Sequence, residues 1–300
     1  MIIDEQHRFG VRQRAILGSK GQNPHLLMMT ATPIPRSLAL TVYGDLDISV
    51  MDEMPPGRKP IDTYVLKPRQ REQAYDFIRK AVQAGRQAFV IYPLVEESEN
   101  LESKAAVEEQ ERLKTEVFPE FKVGLIHGRM TSEEKERVMA CFQRGEEQIL
   151  VSTSVVEVGV DIPNATVMLI EGANRFGLAQ LHQLRGRVGR AGEKSTCLLI
   201  PDSADQVENE RLQAMKATND GFVLAEKDLE QRGPGEFLGR RQSGFNELDQ
   251  AKLSDVHLIE KTRRIAKTIF EEDPLLNDPK YRLLASRLQH SWESDFFDHR

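Results

Sequence analysis

Short apolar segments alternate with longer amphipathic segments between residues 61 and 202. Short apolar or β-branched runs are typical of buried strands, and apolar positions spaced three and four apart are typical of helices. The predicted strands are residues 61–66, 87–92, 123–126, 148–151, 166–170 and 196–200. The predicted helices include residues 69–84, 107–118 and one that begins at the capping box 131–134. This alternation predicts an α/β domain with a mostly parallel sheet.

Two further apolar strands are predicted near the start of the chain, at residues 1–3 and 25–29, with a helix at 8–17 between them. Asp4 and Glu5 follow the first strand, and Thr30 and Thr32 follow the second. Ligands bind at the carboxyl edge of open parallel sheets, where an aspartate can hold Mg²⁺ and a glutamate can deprotonate water. Ordinary polar strand ends, or threonines that cap the next helix, explain the same residues without a site.

Composition shifts divide the rest of the chain. Residues 51–60 are rich in proline and glycine, which predicts a linker between a partial lobe at 1–50 and a complete α/β lobe at 61–202. Beyond the complete lobe, helices at 205–218 and 222–231 surround an Asn-Asp-Gly turn. We expect a helical hairpin with a glycine- and arginine-rich loop over 203–249, and a helical segment over 250–300.

Composition narrows the class of protein. The net charge is −6, with 39% hydrophobic and 29% charged residues, as in a soluble globular protein. No apolar run approaches the roughly 18 residues of a membrane span, and Cys141 and Cys197 have neither metal-site nor disulfide spacing. We therefore expect a cytoplasmic protein with buried free thiols and no membrane association. Any nucleic-acid site has to be a local basic groove.

The stretch Q-L-R-G-R-V-G-R-A-G, at residues 183–192, concentrates candidate chemistry. Arg185, Arg187 and Arg190 alternate with small residues, and a guanidinium fork suits phosphate oxygens well. A solvated basic turn is the plainer interpretation. The spacing Q-x-x-G-R-x-G-R, however, is that of the last motif of superfamily-two helicases, which favours a phosphate site.

Two earlier strand ends carry related signals. The hydroxyl-rich segment 152–163 suits phosphate contacts, and its Asp161 has the reach for either a ribose hydroxyl or an arginine. His127 and Arg129 belong to an H-G-R-M segment of the kind that helicases place along a phosphate backbone. Taken alone, neither segment is specific.

Longer motifs resemble the RecG-type helicases of superfamily two, essentially from end to end. They are I-I-D-E-Q-H-R-F-G-V at 2–11, M-T-A-T-P-I-P-R at 29–36, P-P-G-R in the linker, H-G-R-M at 127–130 and R-F-G-L-A-Q-L-H-Q-L-R-G-R-V-G-R at 175–190. D-L-E-Q-R-G-P-G-E-F-L-G-R-R-Q-S-G at 228–244 resembles the translocation motif that RecG shares with the transcription-repair coupling factor. The resemblance implies two RecA-like lobes: the carboxy-terminal part of the first at 1–50 and the complete second at 61–202.

The resemblance also implies a function and residue roles. The function is ATP-dependent remodelling of branched DNA, with ATP and Mg²⁺ as cofactors, double- and single-stranded DNA as partners, and a monomeric protein. The implied catalytic residues are Glu5, Arg187 and Arg190. The implied nucleotide site adds Asp4, which also holds Mg²⁺, with Gln6, His7, Gly159 and Asp161. Coupling falls to Thr30, Thr32 and Gln183, and DNA binding and translocation fall to His127, Arg129, Thr153, Arg232, Arg241 and Gln242.

One expected motif is absent from the sequence. No G-x-x-x-x-G-K-[ST] loop occurs, although the family's phosphate-binding loop lies on the amino-terminal side of D-E-Q-H. We therefore expect a carboxy-terminal piece of a RecG-type helicase, for which the missing amino-terminal part is a candidate partner. The alternative is a fragment without catalytic activity that only binds DNA or protein.

Overall fold

The computed structural model describes residues 1–5, 25–32, 47–93, 99–153, 161–190, 192–232 and 256–297. The chain divides into two compact units, one of residues 1–33 and 52–228 and the other of residues 34–51 and 229–300. Several predictions lie outside the described residues. They are the helix at 8–17, the glycine- and arginine-rich loop beyond residue 232, and the site residues Gln6, His7, Gly159, Arg241 and Gln242.

A six-stranded sheet forms the centre of the first unit. Its strands are β3 (Ile61–Val65), β4 (Gln87–Tyr92), β5 (Val123–Ile126), β6 (Ile149–Thr153), β7 (Ala165–Glu171) and β8 (Ser195–Ile200). They lie in the order β3-β8-β7-β4-β6-β5, and every neighbouring pair is parallel. The predicted parallel α/β fold is therefore confirmed.

Helices cover both faces of this sheet, which explains why β7 and β8 are buried at every position. On one face lie α3 (Ser132–Gln143), α4 (Leu178–Arg185) and α5 (Glu210–Ala217), followed in the chain by α6 (Gly221–Arg232). On the other lies α1 (Arg71–Gln83), with Leu113 and Phe118 at the end of α2 (Glu99–Arg112). Each face has its own apolar core.

A second, two-stranded parallel sheet is formed by β1 (Ile2–Ile3) and β2 (Leu27–Met28). Ile3 is buried, and its carbonyl accepts a hydrogen bond of 2.8 Å from the backbone of Met29. The carboxyl ends of both strands thus reach the same edge. This edge places Asp4 and Glu5 beside the segment that contains Thr30 and Thr32.

Local departures from the predicted elements have physical causes. The helix predicted at 107–118 begins earlier, as α2, and ends in a π-helical turn at Leu113–Val117. The helix predicted at 205–218 is a 3₁₀ turn at Ala204–Glu208 followed by α5, because Asn209 caps a new helix through its side chain. Cys197 is buried as expected, whereas Cys141 is only partly buried.

The second unit contains the helices α7 (Val256–Glu272) and α8 (Arg282–Phe297), with a 3₁₀ turn at Pro279–Tyr281 between them. Several of their apolar side chains are exposed: Leu258, Ile265, Phe270, Leu283, Leu284 and Leu288. Across the ranges that the structure describes, no helix has both the length and the apolar character that crossing a membrane requires.

Candidate functional site

The arginine-rich motif ends α4 and continues into a tight turn at residues 186–190, which we call the finger turn. Gly186 caps the helix, and its amide donates to the carbonyl of His182 at 2.9 Å. The amides of Arg187 and Val188 continue this pattern to Leu184 and Arg185 at 3.0 and 3.3 Å. Because the Val188 side chain is fully buried, it anchors the turn on the core.

Arg185 is not part of a phosphate cluster, although its spacing suggested one. Its side chain is only 2% exposed and points into the protein. Nη1 donates to the carbonyls of Met215 and Thr218 at 2.7 and 2.8 Å, at the carboxyl end of α5. Burial lowers the pKa of Arg185. This arginine therefore connects two helices, because helix carboxyl ends offer unpaired carbonyls to cations.

Arg187 and Arg190 are the two arginines of the finger turn. Burial and the neighbouring Arg190 lower the pKa of Arg187, while the Glu5 carboxylate acts in the opposite direction. Arg190 Nη1 lies 3.4 Å from Asp161 Oδ1. Asp161 thus contacts one of the two arginines of the finger turn. Within this turn, Arg187 interacts electrostatically with Glu5, and Arg190 pairs with Asp161.

Gln183 joins α4 to the segment after β2. Its Nε2 donates to Thr32 Oγ1 at 2.7 Å, and the backbone of Thr32 donates to Thr30 Oγ1 at 3.1 Å. The amide of Ala31 donates to Glu5 Oε2 at 3.3 Å. Residues from three separate segments of the sequence are therefore connected within one unit.

Asp4 and Glu5 place two carboxylates at the carboxyl end of β1. The Glu5 amide donates to Asp4 Oδ1 at 2.8 Å, and Glu5 adopts a φ of 47°, which is uncommon for a residue other than glycine. The described residues contain no group of three or more His, Cys, Asp or Glu side chains able to hold a metal ion. Mg²⁺ in phosphate sites usually takes one or two carboxylates and completes its shell with phosphates and water, so Asp4 fits that role.

His127 and Thr153 lie at the carboxyl ends of the adjacent strands β5 and β6, where Ile126 is opposite Ser152. Burial, and then Lys135, lower the pKa of His127. Arg129 is exposed in a turn closed by a hydrogen bond of 3.2 Å from the Met130 amide to the His127 carbonyl. The three candidate DNA contacts thus share one edge of the sheet. Arg232, the last residue of α6, lies in a different part of the chain.

Sequence reasoning missed a cavity at the same edge. It has a volume of about 270 Å³ and is lined by Arg71, Tyr92, Thr153, Glu171 and Arg175, among others. Arg71 Nε and Nη2 donate to the two carboxylate oxygens of Glu171 at 2.8 and 3.0 Å. The pair joins the start of α1 to the end of β7, so no local motif indicates it.

Comparisons with known proteins agree with this architecture. Residues 71–192 match the helicase conserved C-terminal domain. Residues 218–294 match the C-terminal part of domain 3 of the ATP-dependent DNA helicase RecG. The first match spans α1 to the finger turn, and the second begins just before α6.

Relatives named ATP-dependent DNA helicase RecG match nearly the whole chain. The protein from Synechocystis sp. is 54% identical over 277 residues, which are 92% of this chain and 33% of the relative. The protein from Bacillus subtilis is 49% identical over 296 residues, 98% of this chain and 43% of the relative. The chain therefore spans between a third and somewhat under half of the length of these relatives.

A solved structure of RecG bound to a three-way DNA junction is 49% identical, with a TM-score of 0.66. The match covers 86% of this chain and 33% of that one. The RecA-like fold class and the resemblance to the carboxy-terminal portion of such proteins are confirmed.

Proposed function

Since the chain belongs to the RecG-type helicases over the region that it shares with them, we propose that it forms the second motor lobe, and part of the nucleotide site, of an ATP-dependent DNA helicase. The observation that carries this proposal is the finger turn. It carries Arg187, which interacts with the Glu5 carboxylate, and Arg190, which pairs with Asp161, within a unit that also contains the contact between Gln183 and Thr32.

In the proposed reaction, the Glu5 carboxylate orients the attacking water and accepts its proton. Arg187 and Arg190 stabilise the negative charge that spreads over the transferred phosphoryl oxygens. Asp4 would hold Mg²⁺, which when bound offsets charge on the terminal phosphates. Asp161 holds Arg190 by an ion pair until the phosphates compete for that guanidinium. Gln6, His7 and Gly159 complete the proposed nucleotide site.

Movement is proposed to follow from two contacts of α4. Gln183 connects this helix to Thr32 and thus to Thr30, while Arg185 connects it to the carboxyl end of α5. Helix α5 leads into α6, which ends at Arg232. A shift of α4 during hydrolysis would therefore be transmitted to the segment with Arg232, Arg241 and Gln242, which we propose to push on duplex DNA.

The DNA track is proposed to run along the carboxyl edge of the sheet. His127, Arg129 and Thr153 offer an imidazole, a guanidinium and a hydroxyl to successive phosphates. The structure of RecG on a three-way junction supports branched DNA as the substrate class. We propose that the chain acts in the cytoplasm as a monomer, with the lobes bounded at 1–50 and 61–202, the linker at 51–60 and helical segments at 203–249 and 250–300.

A second function remains a candidate because the sequence has no G-x-x-x-x-G-K-[ST] loop. On this alternative the chain binds DNA or another protein without hydrolysing ATP itself. The two candidates differ only in whether a complete phosphate site forms.

ATP hydrolysis tests both candidates. The purified chain is assayed with and without forked DNA, first alone and then mixed with the segment of a RecG relative that carries the phosphate-binding loop. DNA-stimulated hydrolysis that Glu5→Gln abolishes supports the motor function. No hydrolysis above the Glu5→Gln level in the mixture, with both chains folded, would refute the motor function and support the binding module.

A further inference from the structure

The linker contains a turn that touches the finger turn. Residues 55–58, which we call the linker turn, close with a hydrogen bond of 3.2 Å from the Arg58 amide to the Pro55 carbonyl. Pro56 and Gly57 occupy its central positions, and Gly57 has a φ of 83°. Proline followed by a residue of positive φ is the pattern of a type II turn. Glycine adopts that positive φ without strain. The sequence P-P-G-R therefore favours the turn that orients Arg58.

Arg58 contacts the helix end from which the finger turn starts. Its Nη2 donates to the Gly186 carbonyl at 3.2 Å. Arg190 Nε donates to the same oxygen at 3.3 Å. This carbonyl caps α4, so it carries the partial negative charge of a helix carboxyl end and favours cations. One backbone oxygen thus connects a linker arginine to a finger arginine.

Two further observations show that the linker turn is packed and not merely adjacent. Arg58 Nε is buried and has no hydrogen-bond partner among the described residues, so the guanidinium is inserted between the two turns. A methyl group added at Gly192 would lie 3.1 Å from the Gly57 carbonyl oxygen. The linker turn therefore approaches the motif on both sides of Arg190, through the Arg58 side chain at Gly186 and the Gly57 backbone at Gly192.

We propose that Arg58 is a positioning residue, whose contact with Gly186 holds the finger turn so that Arg187 and Arg190 reach the transferred phosphate. This inference rests on the proposed ATP hydrolysis. Arg58 itself does not touch the nucleotide. It acts through the carbonyl that it shares with Arg190, and it makes the conformation of the linker a condition for correct placement of both finger arginines.

The first test measures the finger turn directly and needs no catalysis. The amides of Gly186, Arg187 and Val188 are hydrogen-bonded, so their hydrogen exchange is slow enough to follow by mass spectrometry. We expect Arg58→Ala to speed exchange in this turn by about tenfold, as loss of one charge-assisted hydrogen bond implies. Lys59→Ala removes the same charge from the exposed neighbouring residue and should change exchange less than about twofold. Exchange in β7 serves as the internal reference for folding.

Arg58→Lys separates geometry from charge. A lysine keeps the positive charge but lacks the planar fork, so we expect exchange in the finger turn between that of the wild type and Arg58→Ala. Unchanged exchange in Arg58→Ala, with β7 protection intact, would overturn the proposal. If β7 protection is lost in Arg58→Ala, Arg58→Lys is compared with Lys59→Ala instead. Faster exchange in the finger turn of Arg58→Lys supports the proposal, and equal exchange in the two variants would overturn it.

A kinetic test distinguishes this proposal from the proposed function. In the mixture that hydrolyses ATP, Arg58→Ala should lower kcat about tenfold and leave KM for ATP within about twofold, because the finger arginines act mainly in the transition state. A rise in KM with unchanged kcat would contradict the positioning role. If no mixture hydrolyses ATP, the proposed function fails, while hydrogen exchange still decides whether Arg58 orders the finger turn.

Discussion

Replacement of Arg185 by alanine is expected to destabilise the sheet-containing unit by about 3 kcal/mol. Arg185 follows the pattern of a phosphate-binding arginine, yet it is buried between α4 and α5. The substitution removes both of its short hydrogen bonds, to the carbonyls of Met215 and Thr218. It leaves these two carbonyls without the guanidinium donor.

The magnitude follows from the number and type of these bonds. A hydrogen bond from a charged donor contributes at least about 1.5 kcal/mol, and two such bonds are lost. The Thr63 hydroxyl, at 3.4 Å, adds little because the distance is long. Burial of the guanidinium already costs free energy in the wild type, as its lowered pKa indicates, so the hydrogen bonds have to outweigh that cost.

The assay is urea unfolding followed by far-ultraviolet circular dichroism, with Arg190→Ala as the matched control. Arg190 belongs to the same motif, but its Asp161 partner is exposed, and such pairs contribute less than about 1 kcal/mol. Equal m-values would show that the same surface is exposed on unfolding in all variants. A loss below about 1 kcal/mol for Arg185→Ala, or equal losses for the two variants, would refute the buried role of Arg185.

Three further predictions concern the same unit. Thr131→Ala should destabilise it by about 1 kcal/mol in urea unfolding, because Thr131 Oγ1 caps α3 at the Glu134 amide. Burial, and then Arg185, lower the pKa of His182 from 6.5 to about 4. The free energy of unfolding should therefore be highest above pH 6.5 and fall by up to about 3 kcal/mol as the pH drops toward 4, as measured in a pH series of unfolding curves. Gly189→Ala should cost about 1–2 kcal/mol and lower Tm, because φ is +77° and the new methyl group would meet Ile61 at 3.1 Å.

Matched variants serve as controls for the predictions at Thr131, His182 and Gly189. A Thr131→Ser variant keeps the cap and should lose little, so equal losses for serine and alanine would exclude the capping role. His182→Gln should remove the pH-dependent component, and an unchanged pH profile would show that another group causes it. Gly128→Ala adds a methyl group in open space without a positive φ, and equal shifts in Tm for the two glycines would contradict the strain at Gly189.

The strands of the sheet could be predicted to within a few residues from sequence alone. A strand buried on both faces is a continuous apolar run, and such runs are bounded by turn residues, as β4 is by Gly85 and Pro93. The strand order could not be predicted, because it depends on which crossovers pack together. The start of α2 (Glu99–Arg112) was missed because its first residues are mostly polar and carry no apolar repeat.

The candidate site was predictable only as far as its motifs are local. The position of Asp4 and Glu5 at a sheet edge could be predicted, because they directly follow an apolar strand. The contact between Gln183 and Thr32 is consistent with the coupling role predicted for both. The inward direction of Arg185 was not predictable, since its acceptors lie 30 and 33 residues further along the chain. The role of Arg58 has the same origin, because Gly186 is 128 residues away from it.

The strand order also has a consequence for how the chain folds during synthesis. The sheet's first strand, β3, pairs with its last, β8, so that Ile61 lies opposite Ser195. At ordinary rates of translation the ribosome takes on the order of ten seconds to make the residues between them. Throughout that interval β3 has no hydrogen-bonding neighbour in the sheet, and the nascent chain presents an unpaired strand. The four strands β4 to β7 can pair with one another earlier, but β3 can join the sheet only after β8 has been made, so the sheet is completed late.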